Sequence, residues 1–204
     1  MRMNKLRAQI GYKRRHVKGR KASRIAANVV ERQFYPDSPN TAWLSDITYV
    51  LSYEGFLYVA TVIDLFSRRV VGWSMDKNMY KHLVIRALLM AVFQRRPKSE
   101  VLVLSDQGSQ YGSSDYPAFL DEHNLVPSMS RRGNCHDNAV AESFFATFKK
   151  RVTRKKIYST RDEAKAEIFN FIEMFYNPQK HHSHTGGVSP VQFEKAYCEK
   201  LTTV

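Results

Sequence analysis

The segments A-W-L-S-D-I-T-Y-V-L at 42–51, F-L-Y-V-A-T-V-I-D-L at 56–65 and R-V-V-G-W-S-M at 69–75 follow one another and decide the fold. Each is rich in Val, Ile, Tyr, Phe and Thr, side chains that fit a pleated, half-buried surface. Glu54-Gly55 separates the first two and suits a hairpin turn, and Ser67-Arg68 stands at the second junction. Three consecutive antiparallel strands are the economical arrangement. The period then changes. H-L-V-I-R-A-L-L-M-A-V-F at 82–93 is apolar at helical spacing and ends near Pro97. V-L-V-L-S at 101–105 is short and apolar, like a buried parallel strand. A helix from about Ser114 to His123, a short L-V-P-S strand, and helices over 137–153 and 161–176 complete the order. That order predicts an α/β fold, a mixed five-stranded sheet flanked by helices, in which the first helix crosses over to set the fourth strand beside the first.

Three acidic residues take telling places on this frame. Asp46 lies on the first strand, Asp106 directly follows the fourth, and Glu142 lies on the helix N-A-V-A-E-S-F-F-A-T-F-K-K, with 35 residues between the last two. Gly133 and Asn134 end the preceding strand, and Asp137 or Asn138 is placed to cap the helix. Along it Asn138, Glu142, Phe145 and Lys149 share one face, beside an apolar stripe of Ala141, Phe144, Phe148 and Val152. Two strand-borne carboxylates and one helical carboxylate are expected to converge on a pair of divalent cations, the arrangement that clamps the attacking and leaving oxygens of a phosphoryl transfer. Mg²⁺ suits such hard oxygen ligands and keeps open positions for substrate, with Mn²⁺ as a substitute. No Ser or Cys nucleophile is needed.

The charge is that of a protein with a polyanionic partner. Net charge is +13, and residues 1–40 hold eleven Lys/Arg against Glu31 and Asp37, a balance of +9. K-R-R-H-V-K-G-R-K at 13–21 reads as part of a phosphate-neutralising arm, 1–38, that ends at the turn-rich P-D-S-P-N and precedes a catalytic core over 39–200. Such an arm supplies affinity without base choice. No apolar run approaches the roughly 20 residues of a membrane span, and no hydrophobic signal core opens the sequence, so a cytoplasmic location is expected. Cys135 and Cys198 are expected as free thiols.

The motifs W-L-S-D-I-T-Y, V-I-D-L-F-S-R-R-V-V-G-W, L-S-D-Q-G-S-Q-Y and S-M-S-R-R-G-N-C-H-D-N-A-V-A-E-S-F-F occur in one order with a terminal Y-N-P-Q-K-H-H-S-H-T-G-G-V-S-P-V-Q-F-E. Over roughly residues 36–195 they resemble the insertion-sequence transposases of the IS-three family, which in turn resemble retroviral integrases. The resemblance implies a ribonuclease-H-like fold and a D-D-E catalytic triad at Asp46, Asp106 and Glu142, with a basic residue seven places after the glutamate at Lys149. It implies nicking at the ends of a mobile element, then attack of the freed 3′-hydroxyl on target DNA, by a homo-multimer on paired ends. Leu104-Ser105 and Gln107 stand where relatives usually have His-Ser and Arg. The helix-turn-helix segments usual before the core are reduced to N-K-L-R-A-Q-I-G-Y-K-R-R, so the chain is expected to be either a truncated copy or a second-frame product whose helix-turn-helix partner is separately encoded.

Arg131, Arg132, Asn138, Lys149 and Lys150 are the candidate DNA contacts. Asp64 could mimic a catalytic acid but reads as a turn residue, and His181, His182 and His184 read as solvated or DNA-facing rather than zinc ligands. Two rival readings are a DNA-binding remnant without chemistry and a nuclease of RNA–DNA hybrids. The intact triad weighs against the first. The 35-residue spacing and the terminal signature weigh against the second.

Overall fold

A computed structural model describes residues 36–105, 115–129, 139–154 and 156–202. Strands β1 (Ala42–Ser52), β2 (Gly55–Asp64), β3 (Val70–Asp76), β4 (Val101–Ser105) and β5 (Leu125–Met129) form one sheet in the order β3-β2-β1-β4-β5. The first three pair antiparallel, and β1–β4 and β4–β5 pair parallel. This is the mixed sheet and the crossover that the sequence predicts. The hairpin turn is Tyr53-Glu54, one residue earlier than expected, because Gly55 already pairs with Ser52 and takes φ 106°.

Alternation along β1 divides the core in two. Trp43 joins α1 (Lys81–Arg95) and α2 (Asp115–Glu122) on one face through Leu83, Ala87, Leu88, Tyr116 and Leu120. Ala42, Leu44 and Val50 join α3 (Ala139–Phe148) and α4 (Arg161–Phe169) on the other. Rings of Phe144, Phe148, Phe171 and Tyr176 meet there at centroid distances of 4.8–6.1 Å. The predicted apolar stripe of Ala141, Phe144, Phe148 and Val152 is fully buried. Both helices depart from the plain α-helix expected. α3 widens into a π turn at Lys149–Thr153, and α4 does so at Asn170–Tyr176 before α5 (Asn177–Gln179) and α6 (Pro190–Thr202). The apolar spacing carries no mark of this change from i+4 to i+5 bonding.

Gly72 of β3 lets α1 lie close on the sheet. A Cβ built there would stand 2.2 Å from the Ala87 carbonyl oxygen and 2.8 Å from the Ala91 amide nitrogen. Both are backbone atoms that no rotamer change can move. Gly72→Ala is therefore expected to destabilise the fold by about 1–3 kcal/mol through overpacking. Urea unfolding checks this. A midpoint equal to the wild type would show that α1 shifts freely.

The corner between β2 and β3 holds a buried polar network. Asp64, fully buried, accepts the Asn40 and Phe66 amides at 2.8 and 2.9 Å. The Arg95 guanidinium sits 3.4 Å from Asp64 and reaches both oxygens of Glu194 at 2.8 Å. Ser67 and Arg69 also donate to Glu194, at 2.7 and 2.8 Å. Asn177 closes the edge of β3, receiving the Val70 amide at 2.9 Å and donating to its carbonyl at 3.0 Å. Asp64 is thus a structural corner residue, as its turn position suggests.

Candidate active site

β1 presents Asp46 where its parallel pairing with β4 stops. The register matches Ala42 with Leu102 and ends at Ser45 with Ser105, the last described residue of β4. Tyr116 of α2, its phenol raised by burial, has the Ser105 side chain as hydrogen-bonding neighbour and so supports the end of β4. Asp46 is half-buried, pairs across the strands with Thr61 of β2, and takes the Ile47 amide on its Oδ1 at 2.7 Å. By alternation it lies on the same face of β1 as Leu44 and Val50, which is the face α3 covers.

Glu142 arrives from α3. Ala141, Phe144 and Phe148 root that helix in the core shared with β1, and Glu142 remains exposed in its first turn. A carboxylate there is favoured by the positive end of the helix dipole. The structure therefore brings the elements bearing Asp46 and Glu142 into one packed layer. Among the described residues no group of three His, Cys, Asp or Glu stands together at metal-holding distance. Asp106, Arg131, Arg132 and Asn138 lie outside the described residues.

The basic residues after Glu142 separate cleanly. Lys149 lines an open groove with Thr48, Tyr49 and Leu51 of β1. Lys150 is exposed. Arg151 turns the other way and sits 3.5 Å over the Phe175 ring. Phe145, expected on the Glu142 face, is 9% exposed and leans into the core instead.

The histidine cluster is only partly solvated. His181 is exposed, but His182 packs against Tyr176 with ring centroids 5.1 Å apart, and burial, then the charge of Lys180, pushes its pKa down to about 4. His184 Nε2 bonds the Phe66 carbonyl at 2.9 Å. Their spacing gave no sign of this, because the partner of His184 lies in the distant β2–β3 corner and the Tyr176 ring that His182 meets ends the π turn after α4. Cys198 is an exposed free thiol. Among the described residues no helix is long and apolar enough to cross a membrane.

Comparison with known proteins bears on the family and the fold. A family model described as integrase core domain matches residues 36–135, and a second of the same description matches 142–197. The transposase InsF for insertion sequence IS3A of Escherichia coli strain K12 is 46% identical over 170 residues, covering 83% of this chain and 59% of that protein. The transposase for insertion sequence element IS904 of Lactococcus lactis subsp. lactis strain IL1403 is 42% identical over 184 residues, covering 90% and 73%. The chain thus spans 59% of the length of the InsF relative. Among solved structures, a chain of the simian T-cell lymphotropic virus intasome in complex with PP2A regulatory subunit B56 gamma superposes with a TM-score of 0.63 at 15% identity, covering 87% of this chain and 61% of that one. The HTLV-2 integrase catalytic core domain in complex with magnesium, in its trimeric form, gives 0.57 at 16% identity over 76% of this chain and 97% of that one. At these identities the likeness is one of fold, the ribonuclease-H-like fold of retroviral integrase cores.

Proposed function

Since this chain belongs to the integrase-core family of insertion-sequence transposases, we propose that it cleaves and joins DNA strands at the ends of a mobile element, using Asp46, Asp106 and Glu142. One observation supports this most. α3 packs on the face of β1 that bears Asp46, while the β1–β4 register ends at Ser45 with Ser105. Asp106 is the next residue after Ser105, and consecutive Cα atoms are about 3.8 Å apart. On this reading the three carboxylates share one neighbourhood.

All three are hard oxygen donors, and a half-buried Asp46 with an exposed Glu142 suits divalent cations of the Mg²⁺ type. Such a pair, when bound, activates the attacking oxygen and stabilises the leaving one. The protein's own part is to hold and orient. Lys149 holds the phosphate next to the reacting one from its place in the groove beside β1. Water is the nucleophile in nicking. In joining, the freed 3′-hydroxyl attacks a target phosphate, and the target's 3′-oxygen leaves. Arg131, Arg132, Asn138 and Lys150 are assigned to further phosphate contacts, and the 1–38 arm to non-specific affinity. The working form is a homo-multimer on paired DNA ends.

Labelled duplexes copied from the two ends of the DNA element, incubated with Mg²⁺ or Mn²⁺, test the reading. Nicked and joined products that vanish with chelator are expected. Degradation of RNA–DNA hybrids without joining would overturn it. In the same assay Lys149→Ala is expected to lower joining about tenfold or more, the loss of a charge-assisted contact. Lys150→Ala should stay within about twofold. Equal losses in both variants would reduce Lys149 to part of a diffuse positive surface.

A further inference from the structure

Beyond Ser45 the described β4 has no more residues to pair with β1, and the chain at 156–158 approaches that edge instead. Tyr158 donates its amide to the Leu51 carbonyl at 3.3 Å, and the Tyr53 amide donates to the Tyr158 carbonyl at 3.0 Å. Between this segment and β1 lies an open groove of about 480 Å³. That volume suits one small ligand, since such sites span roughly 300–1,000 Å³.

The lining has two kinds of chemistry. Lys149 and Lys156 supply cations, while Tyr49 and Ile157, respectively 60% and 50% exposed, supply flat and apolar surface. The Tyr49 ring is held edge-on to Phe56 at 5.1 Å and to Tyr58 at 6.5 Å, so it is a braced platform rather than a loose side chain. Lys156 rests 4.4 Å over the Tyr158 ring and 3.4 Å from Glu163, an exposed pair weak enough for a phosphate to compete with. Thr48 enters the groove two residues past Asp46, about 7 Å further along β1. Cations that follow a backbone beside an aromatic face that stacks a base are the features of single-strand recognition. Inside a duplex the bases stack on one another, and a terminal pair, tied to its partner strand, cannot enter a groove that fits one nucleotide.

We propose that this groove takes one unpaired nucleotide of the DNA strand adjoining the reacting phosphate, its base against Tyr49 and Ile157 and its phosphates at Lys149 and Lys156. The inference rests on the strand-cleaving reading and adds a preference for DNA ends that are already open. The occupant is nucleic acid rather than a second copy of the chain, because the two ammonium groups in the lining match phosphate and the chain as a whole carries +13.

The test is binding anisotropy of the full chain at fixed salt, with a blunt duplex and the same duplex carrying a three-nucleotide unpaired tail. The tailed duplex should bind roughly tenfold tighter, the scale of one stacked base. Tyr49→Ala should abolish that preference and leave blunt-duplex affinity unchanged. Tyr49→Phe should keep it, and so should Tyr53→Ala at the hairpin tip outside the groove. Lys156→Ala should flatten the slope of log affinity against log salt for the tailed duplex by about 0.7. Equal affinity for tailed and blunt duplexes, or a preference that survives Tyr49→Ala, would overturn the proposal. So would concentration-dependent self-association that Tyr49→Ala removes. Metal-dependent nicking is scored in parallel. If nicking stands and the tail preference does not, this inference alone fails; if nicking is absent, the strand-cleaving reading fails.

Discussion

Asp46→Asn is expected to slow metal-dependent nicking by about a thousandfold or more, while DNA affinity and thermal midpoint stay close to wild type. The substitution is isosteric. The carboxamide oxygen it introduces can still accept the Ile47 amide that Asp46 Oδ1 takes at 2.7 Å, so β1 keeps its local bonding. Only a negative charge is removed, from the face of β1 that α3 covers and from the position just after the β1–β4 register ends. A cation site that loses one of three charges forfeits several kcal/mol of transition-state stabilisation, and about 4 kcal/mol corresponds to roughly a thousandfold. Nicking of end-labelled duplexes measures the first effect and filter binding the second. A variant that nicks at the wild-type rate would remove Asp46 from the chemistry. One that unfolds would make it a structural carboxylate instead.

Arg95→Ala is expected to cost about 3–5 kcal/mol of stability, the usual result of stranding buried charge. Its side chain is 13% exposed and links Asn40, Asp64 and both oxygens of Glu194. For a domain of this size, a midpoint lower by about 6–20 °C follows. Arg69→Ala, at a side chain 34% exposed, should cost about 1 kcal/mol, because water replaces much of what it loses. Thermal unfolding of both variants checks the ranking, and equal shifts would show that the corner is not held by Arg95.

The same network sets an acid limb. Burial alone would raise the Glu194 carboxyl, but the hydrogen bond and charge of Arg95, with Ser67 and Arg69, outweigh it and hold the group below its ordinary 4.5. A depressed folded pKa contributes stability above the unfolded value that is lost as pH falls through the folded one. Stability should therefore drop as pH falls below about 4.5, and Glu194→Gln should flatten that drop. Asp64 has the opposite sign. Burial raises it against the Asn40 and Phe66 amides and Arg95, so its contribution is full below 3.8 and declines as pH rises through the raised value. The difference between wild type and Glu194→Gln across pH isolates the Glu194 part.

The sheet was legible because β-branched and aromatic runs of strand length lie between clear turns, and a crossover of helical period fixes β4 beside β1. The strand place of Asp46 and the helix place of Glu142 were legible for the same reason, since each sits on an element whose apolar neighbours declare its orientation. The β2–β3 corner was not. Asp64 and Glu194, 130 residues apart, meet at Arg95, 31 residues after Asp64, and no local pattern marks such partners. The Phe66 partner of His184 is hidden in the same way. The groove of Lys149 has no local signature because its far wall, Lys156 and Ile157, follows the wide turn that ends α3.

The corner also imposes a timetable on synthesis. Strands β1 to β3 leave the ribosome early, but the residues that grip their turn, Asn177 and Glu194, follow 107 to 127 residues behind the positions they bind. At 5–20 residues per second that is a wait of roughly 5–25 s. During it Asp64 and Arg95 lack their second carboxylate, and the edge of β3 has no cover. Only a ribosome that reaches the last helix releases a finished corner. A message cut short upstream of Glu194 yields a chain in which Arg95 lacks the carboxylate that takes two of its hydrogen bonds.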